Sequence, residues 1–223
     1  MRLNINIPTR GRPEKLDACL RSIDYAGEMK IFIYCYDRIA DLPNRLTELE
    51  RIYPKDFCII ENKEILTIES HNIVCRIPGH FLGLSDDIVF HEGAIDRAVR
   101  MLQHSLKSDG IVDFTVANMT APDGCYMLLG NSFIDKFPGR IPYCPEYKFM
   151  FASAELRDFA KSIDCFEKNK NARLDHYHPA VTGKPDETHK RIRSRGIIHD
   201  DEKIYNERRR SGKLWSHNPQ GPK

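Results

Sequence analysis

The sequence predicts an α/β fold: a mostly parallel sheet flanked by helices, followed by a less regular C-terminal part. Short apolar segments with strand periodicity alternate with segments whose apolar positions repeat at i, i+3, i+4 and i+7. Strands separated by helices of about ten residues pair in parallel, because each helix returns the chain to the same end of the sheet. No internal repeat or linker interrupts the 223 residues, so we expect one domain over 1–223.

The first element is a strand, because Leu3, Ile5 and Ile7 alternate with asparagines. Pro13 follows at a position that the first turn of a helix tolerates, and the apolar stripe of that helix continues to Ile23. Segment 61–77 fits a helix and a strand equally well and stays open. The other predicted elements are strands over 30–36, 57–60, 80–84, 111–116 and 125–129, and helices over 41–52, 95–106 and 155–163.

Composition excludes several classes of protein. No apolar segment approaches the roughly 20 residues of a membrane helix, and the N-terminus lacks the apolar core of a secretory signal. The seven cysteines are odd in number and no two lie in a Cys-x-x-Cys spacing, which favours reduced thiols over a disulfide framework or a zinc site. We therefore expect a soluble cytoplasmic protein.

Charge is unevenly distributed along the chain. Residues 184–223 contain 11 Lys and Arg against six Asp and Glu, whereas residues 1–183 contain 23 against 26. A basic tail on a mildly acidic body suggests an anionic partner such as a phosphate group or a nucleic acid. A solvated surface helix explains the same charges equally well.

Polar residues follow three of the predicted strands at the end where α/β sheets bind ligands. They are the loop from Pro8 to Arg12, then Asp37, and then Asp86 with Asp87. Two adjacent carboxylates between apolar segments repel one another unless a cation or a basic group neutralises them. A divalent cation is one explanation, and a solvated turn is the other.

Motifs of other enzyme classes are missing from the sequence. It contains no Gly-x-Gly-x-x-Gly, no Gly-x-x-x-x-Gly-Lys-Ser/Thr, no Gly-x-Ser-x-Gly and no His-Glu-x-x-His. Dinucleotide enzymes, P-loop ATPases, α/β-hydrolases and zincin proteases are therefore disfavoured.

The ordered set of motifs resembles GT-A glycosyltransferases, particularly small family 2-like enzymes of bacteria and phages. The opening Ile5–Pro13 with its following helix is similar to theirs, and 84–90 looks like their Asp-X-Asp region. The later part of the likeness consists of Gly130, Phe137, Gly139, Pro145, Tyr147, Glu155-Leu156, His178-Pro179, Gly183, Asp186-Glu187-Thr188, Asp201, Tyr205, Arg208 and Trp215. The resemblance implies a nucleotide-sugar-binding half over 1–117 and an acceptor half with the basic tail over 118–223.

The resemblance also implies roles on the donor side. A nucleotide sugar, expected to be a UDP-sugar, would be bound by Pro8, Thr9, Arg10, Arg12, Asp37, Asp86 and Arg208. Asp87 would coordinate Mn²⁺ or Mg²⁺ on the diphosphate, and Asp86 would hold the metal or the ribose. His178 would complete the metal or diphosphate site, with His176 in reserve.

Two serines depart from the family pattern. Ser85 stands where the first aspartate of the triplet is common, and Ser153 stands where related sequences often have the aspartate that acts as catalytic base. Glu155 or Asp158 would then remove the acceptor proton. A retaining mechanism that needs no base at this position, or a loss of transfer, explains the same departures.

The acceptor is expected to be a glycan, a protein or a hydroxylated base in phage DNA. Tyr143, Tyr147 and Phe149 offer stacking surface for a base, but they fit core packing equally well. Two other functions stay open: an inactive GT-A-like module that binds a nucleotide or glycan, and a metal-dependent nuclease or nucleotidyltransferase.

Overall fold

The structure is a computed structural model that describes residues 1–10, 12–35, 57–61, 67–183, 190 and 196–213. The strands in these ranges are β1 (Leu3–Thr9), β2 (Met29–Cys35), β3 (Phe57–Glu61), β4 (His80–Gly83), β5 (Ile88–Phe90), β6 (Ile111–Val116), β7 (Met127–Leu129) and β8 (Phe166–His176). The helices are α1 (Pro13–Arg21), α2 (Thr67–Cys75), α3 (Ala94–His104), α4 (Asn131–Ile134), α5 (Ala152–Ser162), α6 (Pro179–Thr182) and α7 (Ile197–Arg210). The helix predicted over 41–52 lies outside the described residues.

The eight described strands form one mixed sheet in the order β3-β2-β1-β4-β7-β6-β8-β5. β1, β2, β3 and β4 pair in parallel, as do β6 and β8. β7 is antiparallel to both of its neighbours, and β5 is antiparallel to β8. The prediction of a mostly parallel sheet is therefore wrong. The connection from β6 to β7 contains no helix, and a parallel pair needs a longer crossover than this loop provides.

The parallel half of the sheet brings the ends of two strands together. β1 pairs with β4 in a register that puts Asn6 opposite Gly83. The chain leaves β1 at Thr9 and leaves β4 toward Ser85, so both segments emerge at the same end of the sheet. We call this end, formed by the C-terminal ends of β1 and β4, the carboxyl edge.

Both faces of β1 are buried, which explains its composition. Leu3, Ile5 and Ile7 pack in the apolar core on one face, together with residues of α1 and α3. Asn6 points to the other face, where its amide group donates to the Ser70 hydroxyl at 3.0 Å and contacts the His71 Nδ1 at 2.7 Å. A buried amide without partners would destabilise the fold, so these contacts of the Asn6 amide nitrogen with α2 offset part of the cost of a polar residue inside the sheet.

The helices pack on both faces of the sheet, as the α/β prediction requires. Segment 61–77, which the sequence left open, contains helix α2. The part of the chain that the structure describes contains no helix with the length and apolar composition needed to cross a bilayer.

Candidate functional site

Asp86 and Asp87, called the acidic pair below, lie at the carboxyl edge in the turn between β4 and β5. The Asp86 residue is completely buried and Asp87 is 4% exposed. Buried carboxylates are costly unless hydrogen bonds or opposite charges compensate for lost hydration. The solvated turn that the sequence allowed is therefore wrong, because these side chains do not reach into bulk solvent.

Asp86 is held by the last residue of β1, Thr9, and by Arg12 just before α1. The Thr9 hydroxyl donates to Asp86 Oδ2 at 2.6 Å, and Arg12 Nε donates to the same oxygen at 3.2 Å. A second Arg12 nitrogen, Nη2, binds Asp86 Oδ1. Burial raises the pKa of the Asp86 carboxyl, and Arg12 with Thr9 offsets part of that rise. The predicted meeting of the loop after β1 with the acidic pair is confirmed for Thr9 and Arg12.

Asp87 is surrounded by donors on both of its oxygens. Arg12 Nη1 lies 3.3 Å from Oδ2, the Ser85 hydroxyl donates to Oδ1 at 2.6 Å, and His176 Nε2 lies 3.5 Å from Oδ1. Burial alone would raise the pKa of the Asp87 carboxyl, but His176 and Arg12 outweigh burial and hold that pKa well below its usual range. Asp87 is consequently an ionised carboxylate at neutral pH.

His176, the last residue of β8, reaches the acidic pair. β5 begins directly after Asp87 and pairs with the end of β8, so that Ile88 faces His176. The Tyr177 amide then donates to the Asp87 carbonyl at 2.8 Å. His178 lies beside His176, with 5.2 Å between the ring centroids. The contact with Asp87 is made by His176, whereas the role predicted for His178 as a metal ligand stays a prediction.

The remaining donor-side residues have different surroundings. Pro8 is buried within β1, opposite Tyr34 of β2. Arg10 is half-buried just beyond β1. Asp37 lies outside the described residues. The predicted contacts of these three residues with the nucleotide stay predictions.

A second group of predicted site residues lies between α5 and α7. Arg208 Nε donates to Glu155 Oε2 at 2.8 Å and Arg208 Nη2 donates to Oε1 at 3.0 Å. The Tyr147 hydroxyl also donates to Glu155 Oε2, at 2.7 Å. Glu155 is 2% exposed, so this carboxylate is a buried partner of Arg208. Their predicted roles, Glu155 as base and Arg208 as a diphosphate contact, stay predictions, although here the two residues bind each other.

Tyr205 and Asp201 of α7 also bind the segment around α5. Asp158 Oδ2 accepts a hydrogen bond from the Tyr205 hydroxyl at 2.6 Å, and Arg157 binds its Oδ1. The completely buried Asp201 accepts from the three consecutive amides of 148–150, at 3.0, 2.8 and 2.7 Å. Sequence periodicity did not reveal this function of Asp201. The tail is therefore in part a docked helix, and its exposed arginines are Arg209 and Arg210.

The aromatic residues considered for base stacking are largely in the core. Tyr143 is 4% exposed and Tyr147 is 2% exposed. Both pack in the cluster that also contains Phe133 and Phe159. They therefore fill the interior and offer no free surface to a base.

Known structures share this fold at low sequence identity. The mannosyltransferase PcManGT from Pyrobaculum calidifontis, in complex with GDP-Man and Mn²⁺, matches with a TM-score of 0.64 and 11% identity over 92% of this chain and 64% of its own. S. aureus TarS 1–349 matches with a TM-score of 0.61 and 9% identity, over 82% of this chain and 62% of its own. The TarS 1–349 complex with UDP gives a TM-score of 0.56 and 11% identity, over 76% of this chain and 58% of its own.

These comparisons identify a fold. The chain has a glycosyltransferase fold, which confirms that part of the sequence resemblance. It spans about three fifths of the length of these structures. No protein-family model and no curated protein sequence matches it.

Proposed function

We propose that the chain is a GT-A glycosyltransferase that moves a sugar from a nucleoside-diphosphate donor, expected to be a UDP-sugar, to an acceptor hydroxyl. The observation that supports this proposal best is the buried acidic pair against Thr9 and Arg12 at the carboxyl edge. Ligands of α/β sheets bind at this edge, and the solved relatives in fold include complexes with UDP and with GDP-Man and Mn²⁺.

The donor set around Asp87 suits a hard divalent cation. Asp87 supplies an ionised carboxylate, and His176 and His178 are adjacent imidazoles. Among the described ranges no cluster of three His, Cys, Asp or Glu side chains could hold a metal by itself. Mg²⁺ is commonly bound by one or two carboxylates together with substrate phosphates. We therefore propose Asp87 with one of the two histidines as the protein ligands, and diphosphate oxygens as the others.

Asp86 has a different relation to the ligand. Its oxygens already accept hydrogen bonds from Thr9 and Arg12, and the residue is completely buried. We propose that Asp86 orients Arg12 at the donor site. Direct binding of the metal by Asp86 would require Arg12 to move away.

The proposed chemistry is divided between the residues of the donor side and those of the acceptor side. Bound Mn²⁺ or Mg²⁺ would stabilise, as a Lewis acid, the negative charge that develops on the departing diphosphate. Arg12 adds a fixed guanidinium next to the same site. A carboxylate on the acceptor side would remove the proton of the attacking hydroxyl, an effect typically worth about 10²–10⁴-fold. Glu155 and Asp158 are the proposed groups, and in the structure Glu155 already accepts hydrogen bonds from Arg208 and Tyr147.

A thermal-shift experiment tests the donor site. UDP-, GDP-, dTDP- and CMP-sugars are added with Mn²⁺ or with EDTA. A ligand at about 100 times its dissociation constant stabilises the folded state by about 2.7 kcal/mol. We expect one nucleotide to raise the Tm with Mn²⁺ and much less with EDTA.

Variants make this test specific. Asp87→Asn should lose the Mn²⁺-dependent shift, whereas Asp24→Asn, on an exposed residue, should keep it. If none of the nucleotides stabilises the wild type, or if Asp87→Asn responds as the wild type does, the proposal is contradicted. Release of free nucleotide on addition of a glycan or of DNA containing hydroxylated bases would then separate turnover from binding alone.

A further inference from the structure

Ser85 is a departure from the family pattern, yet its hydroxyl has two close partners in the structure. It donates to Asp87 Oδ1 at 2.6 Å and lies 2.9 Å from the Tyr126 hydroxyl. We propose that Tyr126 and Ser85 form a hydroxyl relay that fixes the Asp87 carboxylate in the orientation that receives the cation-bound diphosphate. This inference rests on the proposed function.

The direction of the relay follows from the number of protons. An ionised carboxylate only accepts hydrogen bonds, so the single hydroxyl proton of Ser85 points to Asp87. The proton between the two hydroxyl groups must then come from Tyr126. The 2.6 Å contact lies in the range of a hydrogen bond from a hydroxyl to a charged oxygen, which is stronger than a neutral one. Donation from Tyr126 polarises the Ser85 hydroxyl and strengthens that bond further.

The starting point of the relay is fixed in the core. Tyr126 is 6% exposed and belongs to the apolar cluster around β1. Its carbonyl accepts a hydrogen bond from the Phe114 amide at 3.0 Å, and its ring meets His176 edge-on with centroids 5.3 Å apart. Tyr126 therefore touches both the serine beside the acidic pair and the histidine that approaches Asp87.

The relay holds one of the two carboxylate oxygens of Asp87, Oδ1. Oδ2 faces Arg12 Nη1, and Oδ1 faces Ser85 and His176. Without the Ser85 hydroxyl, Oδ1 would lose its shortest contact, and the carboxylate could rotate toward Arg12. Tyr126 and Ser85 are thus positioning residues, which act on the ligand through Asp87.

The experiment measures Mn²⁺ affinity directly. The dissociation constant of Mn²⁺ is measured by EPR on the full chain with saturating UDP, or with whichever nucleotide stabilises the wild type. Ser85→Ala and Tyr126→Phe should each weaken Mn²⁺ binding about 10-fold or more, the range found when groups that orient metal ligands are removed. Ser85→Thr keeps the hydroxyl and should restore affinity. Ser22→Ala removes another half-buried hydroxyl with two hydrogen bonds, and it should leave the Mn²⁺ affinity unchanged.

A double variant distinguishes a relay from general loosening of the fold. Because Tyr126 acts through Ser85, Ser85→Ala combined with Tyr126→Phe should bind Mn²⁺ no more weakly than Ser85→Ala alone. Wild-type affinity in both single variants, or losses that multiply in the double variant, would overturn the relay while the donor site stands. A wild-type chain that binds neither Mn²⁺ nor any nucleotide would overturn the proposed function and the relay together.

Discussion

Replacing Arg12 with glutamine removes the positive charge that compensates the acidic pair. The guanidinium contacts both carboxylates, and the Arg12 side chain is 14% exposed while those of Asp86 and Asp87 are 0% and 3% exposed. Breaking a buried ion pair by removing one partner typically costs about 3–5 kcal/mol. Because Arg12 keeps some contact with solvent, we expect the free energy of unfolding to fall by about 3 kcal/mol. In a chain of this size that loss corresponds to a fall in Tm of about 6–12 °C.

The loss of stability in Arg12→Gln should also depend on pH. Without Arg12 the pKa of the buried Asp86 rises further, so the folded variant takes up a proton at a pH where the unfolded chain does not. The deficit relative to the wild type should therefore shrink as the pH falls from 7 toward 5.

Urea unfolding in the presence of EDTA measures this prediction for Arg12→Gln at both pH values. Arg21→Gln removes an arginine that is 60% exposed and paired with Asp17, and it should cost at most about 0.5 kcal/mol. Equal losses in the two variants, or a deficit for Arg12→Gln that is the same at pH 7 and pH 5, would refute this account of the acidic pair.

Two further predictions concern buried polar residues away from the acidic pair. Burial lowers the pKa of His71 to about 4, so the unfolded chain takes up a proton below about pH 6.5 while the folded chain does not. This residue should lower the free energy of unfolding by about 2–3 kcal/mol between pH 7 and pH 4.5. Urea unfolding of His71→Gln at several pH values should show a plot of unfolding free energy against pH that lacks this part of the slope. An unchanged slope would rule out His71 as its source. Asp201→Asn disrupts the acceptor of three backbone amides and should cost roughly 3 kcal/mol in the same assay, whereas Asp200→Asn on the exposed face should change stability by less than about 0.5 kcal/mol. Equal effects of these two substitutions would contradict the role given to Asp201.

Elements with a strong local pattern could be predicted from the sequence. The alternation in β1 and the apolar stripe of α1 arise from residues that are close in the chain, and the strand over 111–116 has the predicted bounds. β8 was not predicted, because its eleven residues are mainly polar and only three of them are buried. The antiparallel direction of β7 was missed for a related reason. Its pairing with β4 and β6 decides that direction, and the spacing of apolar residues within β7 carries no information about it.

The candidate site was predictable where one general rule sufficed. The rule that ligands meet the C-terminal ends of parallel strands brought Thr9 to Asp86, and electrostatics required a basic partner, which is Arg12. Which histidine meets Asp87 depends on the register between β5 and β8, which the sequence does not reveal. Tyr126 belongs to no motif, so its contact with Ser85 could not be expected.

The docking face of α7 has a consequence for the order in which the chain acquires its structure during synthesis. Asp201, Tyr205 and Arg208 lie one above another on that face, and each satisfies a group in the segment from 148 to 158. Until the ribosome has released these residues, the Glu155 carboxylate lacks its counterion and three consecutive amides lack their acceptor. The acceptor side should therefore consolidate late, after the strands around the acidic pair have already had time to assemble.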